Sequence, residues 1–221
     1  MATGVSFGGG QARPMNVQQH GEENDAVLCH IASTNEFRRI AGFASRGFLN
    51  WAPRVHERYT DNLAALERAD ESLARPFPNA PWAAATFNFG PQTVCLPHLD
   101  SANLPWGWCA ITALGRFNPD AGGHLVLWDY GLVIQCPPGS TILIPSAIVR
   151  HSNIPILEGE QRFSFTMYSA GGLFRWVSNG HRSELRAIRR ARKADLARRE
   201  EERSQRWQSG YALFKKYLAQ I

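Results

Sequence analysis

Arg162-Phe163-Ser164-Phe165-Thr166-Met167-Tyr168 alternates polar and apolar side chains without a fault. Successive side chains of a strand point to opposite faces. Arg162, Ser164, Thr166 and Tyr168 therefore share one face, and Phe163, Phe165 and Met167 the other. Such a strand either shows its polar face to water or aims it into a barrel. Aimed inward, an Arg followed two residues on by a Ser suits an acid group. The guanidinium offers a bidentate fork and the hydroxyl a further donor.

From Trp82 to Ala170 the chain is written in short apolar runs divided by turn residues. Strands are expected over 84–89, 93–98, 107–117, 124–129, 131–136, 140–145, 149–152 and 162–169. Asn118-Pro119-Asp120-Ala121-Gly122-Gly123 and Pro137-Pro138-Gly139 are strong turn signals between them. About eight short strands without intervening helices specify a sandwich or a jelly-roll barrel.

Helical spacing precedes this block, in Phe37, Ile40, Phe43 and Ala44 and again in Leu63, Leu66 and Leu73, with Pro53 between them. Helices are expected near 35–48 and 54–74, supporting the sheet. Residues 1–27, with Gly8-Gly9-Gly10 and few apolar anchors, read as a flexible segment. After Gly180 a long charged helix is expected over 182–206, mostly wet. Ser209-Gly210 should break it before an amphipathic terminal helix carrying Leu213, Phe214, Tyr217 and Leu218. The fold class is α+β with a mainly β core, in three parts: 1–27, a domain over 28–180, and a basic extension over 181–221.

Charge follows the same division. Residues 1–180 hold 12 Lys+Arg against 14 Asp+Glu, net −2, and residues 181–221 hold 12 against 5, net +7. The tail alone makes the chain basic, as a solvated helix or as a surface for a polyanion. No apolar run reaches the length of a membrane span, and no charged start leads into an apolar stretch. Cys29, Cys95, Cys109 and Cys136 lack C-x-x-C spacing and suit reduced thiols, which points to an intracellular address.

A second stretch bears on chemistry: Pro97-His98-Leu99-Asp100-Ser101-Ala102-Asn103, at the end of the expected strand 93–98. At strand spacing His98 and Asp100 lie side by side and can take two neighbouring positions on one metal ion. A 2-His-1-carboxylate site needs one more imidazole. His151, after the apolar strand Thr141-Ile142-Leu143-Ile144, is the expected third ligand, with His124 after the Gly122-Gly123 turn as the other candidate.

His98, Asp100, His151, and Arg162 with Ser164 stand in the order seen in the iron(II) and 2-oxoglutarate-dependent dioxygenases, and the stretch 82–170 resembles that family. The resemblance implies a double-stranded β-helix with Fe(II) held by His98, Asp100 and His151. It implies 2-oxoglutarate as co-substrate, its far carboxylate on Arg162 and Ser164, and O2 as oxidant. Two positions are similar to the TET/JBP branch, the methylcytosine and thymine oxidases of DNA. Asn103 completes H-x-D-x-x-N, whose Asn helps to read a flipped base. Tyr168, six residues beyond Arg162, holds the place of a residue that stacks on the base. Each also has an ordinary reading, an Asn capping a loop and a Tyr filling a core. The chain departs from TET enzymes at Ala170, where a base-contacting His is expected, and shows no cysteine-rich region.

The resemblance implies oxidation of a methyl group on a nucleobase, foremost 5-methylcytosine in DNA, with the tail 182–206 gripping phosphate and a nuclear address. Two alternatives stand beside it. One is a hydroxylase of a protein side chain or small metabolite, and the other an inactive β-barrel module that binds nucleic acid.

Overall fold

The segment 162–168 lies within the long strand at the centre of the larger sheet. The structure is a computed structural model that describes residues 1–18, 21–189 and 191–218, the last four of these by backbone alone. Its strands are β1 (Ala2–Ser6), β2 (Met15–Asn16), β3 (Ala84–Asn88), β4 (Cys109–Arg116), β5 (Leu125–Leu127), β6 (Leu132–Ile134), β7 (Thr141–Ile144), β8 (His151–Asn153) and β9 (Gln161–Tyr168). One sheet runs β2-β1-β3-β9-β4-β7, and a smaller one runs β6-β5-β8. All strand pairings are antiparallel. The architecture is a jelly-roll double-stranded β-helix with helices behind the larger sheet.

Both faces of β9 are covered. Phe165 and Met167 are fully buried on one side, where Phe165 meets the rings of Phe37, Phe77 and Phe87 at 4.9–5.5 Å. On the other side Arg162 and Ser164 are also buried. The polar face of this strand is therefore inside the barrel and not in water.

The expected strand 93–98 forms no regular ladder. It lies along the free edge of β8 through a bridge in which His98 and His151 exchange both backbone bonds at 3.0 Å. Further along, the Asn153 side chain accepts from the Cys95 amide at 2.8 Å and donates to the Thr93 carbonyl at 3.0 Å. A side-chain amide thus substitutes for part of the ladder, and the small sheet gains a fourth, irregular strand.

Helices α2 (Asn35–Trp51) and α3 (Pro53–Ala69) match the expected pair, with Pro53 at the start of α3, where its missing N–H costs nothing. Phe48, Val55, Tyr59 and Leu63 are their buried anchors, and Phe48 stacks on Trp82 and Trp108. Helix α3 ends five residues before the expected boundary, at Ala69. Two helices carried too little periodicity to be read, α1 (Glu22–Ser33) and α4 (Gly171–Ser178); α1 buries Leu28 alone.

Three expectations are corrected. The described part of residues 1–27 is not a flexible lead: β1 lies between β2 and β3 with Val5 buried, and Met1 exchanges both backbone bonds with Phe87 at 2.8 Å. Five residues of strand sufficed, because an existing edge supplied the partner. The single helix over 182–206 is two, α5 (Glu184–Arg189) and α6 (Lys193–Ser204), with a box-like cap between Arg192 and Asp195 starting the second. Finally, Ser209-Gly210 does not break the chain, since α7 (Arg206–Leu218) runs straight through it. Gly210 is the point of closest approach: a Cβ there would lie 2.3 Å from the Trp106 indole. Beyond it Leu213 and Phe214 pack on the core, Phe214 at 5.7 Å from Trp108. The side chains of Tyr217 and Leu218 lie outside the described residues. Among the described residues no helix is long and apolar enough to cross a membrane.

Candidate metal centre and acid pocket

The His98–His151 bridge places two imidazoles next to each other at the barrel mouth, with ring centroids 4.4 Å apart and planes tilted by 49°. Asp100 follows on a loop whose backbone is pinned by the Ser146 carbonyl at 2.9 Å. Its two carboxylate oxygens lie 3.6 Å from His98 Nε2 and 4.0 Å from His151 Nε2. One ligand atom from each of the three residues falls within 4.8 Å of the others, the one such group among the described residues. Of the two candidates for third ligand, His151 joins the cluster and His124 does not.

The tautomers are set by backbone. His98 Nδ1 is 2.7 Å from the Leu96 carbonyl, and His151 Nδ1 is 2.9 Å from the Val149 carbonyl. A carbonyl can only accept, so each Nδ1 carries its hydrogen and each Nε2 keeps its lone pair on the side of Asp100. Outer-shell carbonyls of this kind orient metal-binding histidines and raise their basicity. The donor set of two imidazole nitrogens and one carboxylate oxygen fits Fe(II) of the facial-triad class. Iron bound there would be held by these three side chains and would supply the oxidising chemistry.

The pocket behind the cluster has a volume of about 490 Å³, and Arg162, Ser164, Asn103 and Tyr168 all line it. Arg162 is 3% exposed, its Nε is buried without any acceptor, and one terminal nitrogen reaches the Thr93 carbonyl at 3.3 Å. Burial pushes its pKa below the ordinary guanidinium value. A buried guanidinium without a carboxylate is costly, and an acid group entering the pocket would satisfy it. Ser164 Oγ accepts from Asn88 Nδ2 at 2.8 Å, which leaves the hydroxyl hydrogen free to donate. The residues therefore fit the far carboxylate of 2-oxoglutarate.

Asn103 closes a turn by donating its amide to the Asp100 carbonyl at 2.8 Å, and its side chain touches Ser146. The Tyr168 phenol accepts from Thr86 Oγ1 at 3.2 Å, so its ring is tethered to the pocket wall. Asn88, Ser146 and Asn153, which orient the site, were not read from the sequence. Asn88 was the findable one: it is a polar residue between Phe87 and Phe89 at the end of β3, directly opposite Ser164 in the β3–β9 register. The other two act across loops and left no local mark.

A larger groove, of about 1190 Å³, lies outside the metal cluster between the 101–106 loop, α4 and the C-terminal helices. It meets the pocket at Ser101, Ala102 and Asn103. Arg58, Arg175, Arg198, Arg199, Arg203 and Arg206 line it against Glu184, Glu200 and Glu202. Arg198 and Arg203 are paired with acidic neighbours on their own helix. Trp106 and Trp207 add aromatic surface to the same walls.

No protein-family model and no curated protein matches this chain. Among solved structures it is similar to NgTET1 in complex with 5mC DNA, with a TM-score of 0.59 and 16% identity over 77% of this chain and 60% of that one. Weaker matches include the viral collagen prolyl hydroxylase of Paramecium bursaria Chlorella virus-1 bound to 2OG, with a TM-score of 0.29 and 15% identity over 38% of this chain and 55% of that one. Another is an oxidoreductase of the 2OG-Fe(II) oxygenase family from Burkholderia pseudomallei, at 0.30 and 23% over 40% and 43%. The chain spans 60% of the length of NgTET1, and what the two share is the fold: a TET/2OG-oxygenase-like double-stranded β-helix.

Proposed function

We propose that this protein is an Fe(II)- and 2-oxoglutarate-dependent dioxygenase that oxidises a methyl group on a nucleobase, with 5-methylcytosine in DNA as the foremost substrate. The observation that carries the enzyme class is the joint presence, on one pocket, of the His98/Asp100/His151 cluster and a buried Arg162 with an unmatched donor. In this reading the three ligands fix the iron at the mouth, while Arg162 and Ser164 take the far carboxylate of the co-substrate. The depth of that clamp orients the oxo-acid towards the metal, and the loop 97–103 closes the side facing the substrate.

The nucleobase reading draws on the likeness to a structure solved with 5mC DNA, on Asn103 and Tyr168 in the pocket, and on the arginine-lined groove joined to it. A base flipped from a strand presents its edge and face to just such a pair of side chains. The flanking phosphates would lie along this groove, where guanidinium groups neutralise charge without reading sequence. Nucleoside mass spectrometry after incubation with methylated DNA, Fe(II) and 2-oxoglutarate tests this, with Asp100→Ala as control. Oxidised cytosine that depends on Asp100 is expected. Co-substrate turnover with no oxidised base would refute the nucleobase and retain the enzyme class.

A further inference from the structure

The groove beside the pocket carries flat aromatic surface as well as charge. Six arginines and three glutamates line it, an excess of three positive charges. Among the described residues Arg58, Arg175 and Arg206 meet no carboxylate, and Arg199 is held by the neutral Asn179 side chain at 2.9 Å. Arg199 and Arg203 are one turn apart on α6, as are Arg206 and Gly210 on α7. Such a wall suits a partner whose negative charge repeats along its length. Between the guanidinium groups stand two indoles, Trp106 and Trp207. Gly210 brings them to one wall: without a Cβ it lets α7 lie on Trp106, where an added carbon would be 2.3 Å from the ring. The Trp106 ring is fixed edge-on against Phe174 at 5.8 Å. Trp207 precedes Gly210 by three residues, is 65% exposed, and leans on the half-exposed Tyr211 with ring centroids 6.0 Å apart.

Rings held in water between cations fit a ligand that brings flat faces and phosphates together. The bases of a duplex stack on one another and show only their edges, so a duplex would meet the arginines and leave both indoles wet. An acidic peptide would do the same. A single strand offers phosphates and unstacked base faces at once. We propose that this groove binds single-stranded DNA, with the bases next to the target stacked on Trp106 and Trp207 and the phosphates on the arginines. Entry of the target base into the metal pocket rests on the nucleobase reading above. Groove and pocket meet at Ser101, Ala102 and Asn103, and Trp106 follows Asn103 by three residues, a span of at most about 11 Å. Trp106 therefore takes the base adjacent to the target, and Trp207 one farther along. A target presented by a single strand has no partner to leave, so little free energy goes into extracting it.

The test is fluorescence anisotropy of the full chain with one labelled 5-methylcytosine oligonucleotide, alone and annealed to its complement. The single strand is expected to bind at least about tenfold more tightly, since two bases stack on the protein. Trp207→Ala, at an exposed position, should weaken the single strand by about 5- to 100-fold, the loss of one stacked base, and leave the duplex within about twofold. Trp207→Phe keeps a ring face and should restore most of the affinity. Abasic sites stepped along the strand should reproduce the loss at one position close to the 5-methylcytosine, and there Trp207→Ala should add nothing further. Equal affinity for the two forms, or an equal loss from both in Trp207→Ala, overturns the proposal. Nucleoside mass spectrometry on the same two substrates separates it from the nucleobase reading. Oxidised cytosine formed faster in the duplex overturns the single-strand assignment alone. Binding of the single strand that depends on Trp207, with no oxidised base from either form, refutes the nucleobase reading and retains the groove.

Discussion

Replacing Arg162 by Met should have opposite effects with and without co-substrate. Met has a similar length and no polar atom to satisfy. In the protein alone, Arg162 is 3% exposed with a buried Nε that meets no acceptor. Its one bond, to the Thr93 carbonyl at 3.3 Å, is dispensable, because that oxygen also accepts from Asn153 at 3.0 Å. An unmatched buried donor costs about 1–3 kcal/mol. Taking about 2 kcal/mol, and about 2–4 °C per kcal/mol for a chain of this size, Arg162→Met should raise Tm by roughly 4–8 °C. With 2-oxoglutarate and Mn(II) at a hundred times Kd the wild type should gain about 2.7 kcal/mol. The variant should gain nothing from the acid, since removing one partner of a buried pair costs about 3–5 kcal/mol. Differential scanning fluorimetry of both proteins, with and without the co-substrate, gives the four temperatures required. A variant less stable than wild type on its own, or one still stabilised by 2-oxoglutarate, would refute the account of Arg162 as a carboxylate receptor.

Gly4→Ala tests the N-terminal strand. Gly4 has φ of +103°, and a Cβ there would lie 2.3 Å from the Ala83 carbonyl oxygen. A loss of about 3 kcal/mol, and with it roughly 6–12 °C in Tm, is expected from denaturant and thermal melts. Gly210→Ala should improve helix propensity and still do harm, because the added carbon meets the Trp106 indole at 2.3 Å. Displacement of α7 should show as changed tryptophan fluorescence and faster proteolysis of the tail. The Cys109 thiol, raised to about 12 by burial, stays neutral while the unfolded thiol ionises from about its ordinary value of 9.0. Its contribution to stability is full below pH 9 and is lost as pH rises towards 12, by up to about 1.4 kcal/mol per pH unit. Denaturant melts at pH 8 and pH 10.5 should show a smaller drop for Cys109→Ala than for the wild type.

What could be read locally was read well. The alternation of 162–168 is a property of seven consecutive side chains, and His98 and Asp100 are two residues apart. Helices α2 and α3 announced themselves through periodic apolar residues and Pro53. The misreadings share a cause. Strand β1 has little pattern of its own and exists because β3 offers an edge. Gly210 looked like a breaker because glycine disfavours helix, yet the approach of Trp106 outweighs a propensity of about 1 kcal/mol. Segment 93–98 has the composition of a strand, but Asn153 takes over part of its pairing.

The sequence alone determined the kind of protein this is: a β-rich core backed by helices, a basic tail, and candidate metal ligands followed by an Arg and a Ser in a recognisable order. Periodicity and ligand type are local properties, and they survive without coordinates. Only the tertiary structure decided that the polar face of β9 points inward and that His151 and not His124 joins His98 and Asp100. It alone joined the arginine groove to the pocket at Asn103. Those facts depend on contacts between residues tens of positions apart. Burial and hydrogen-bond direction are set by neighbours in space, and no window of the chain contains them.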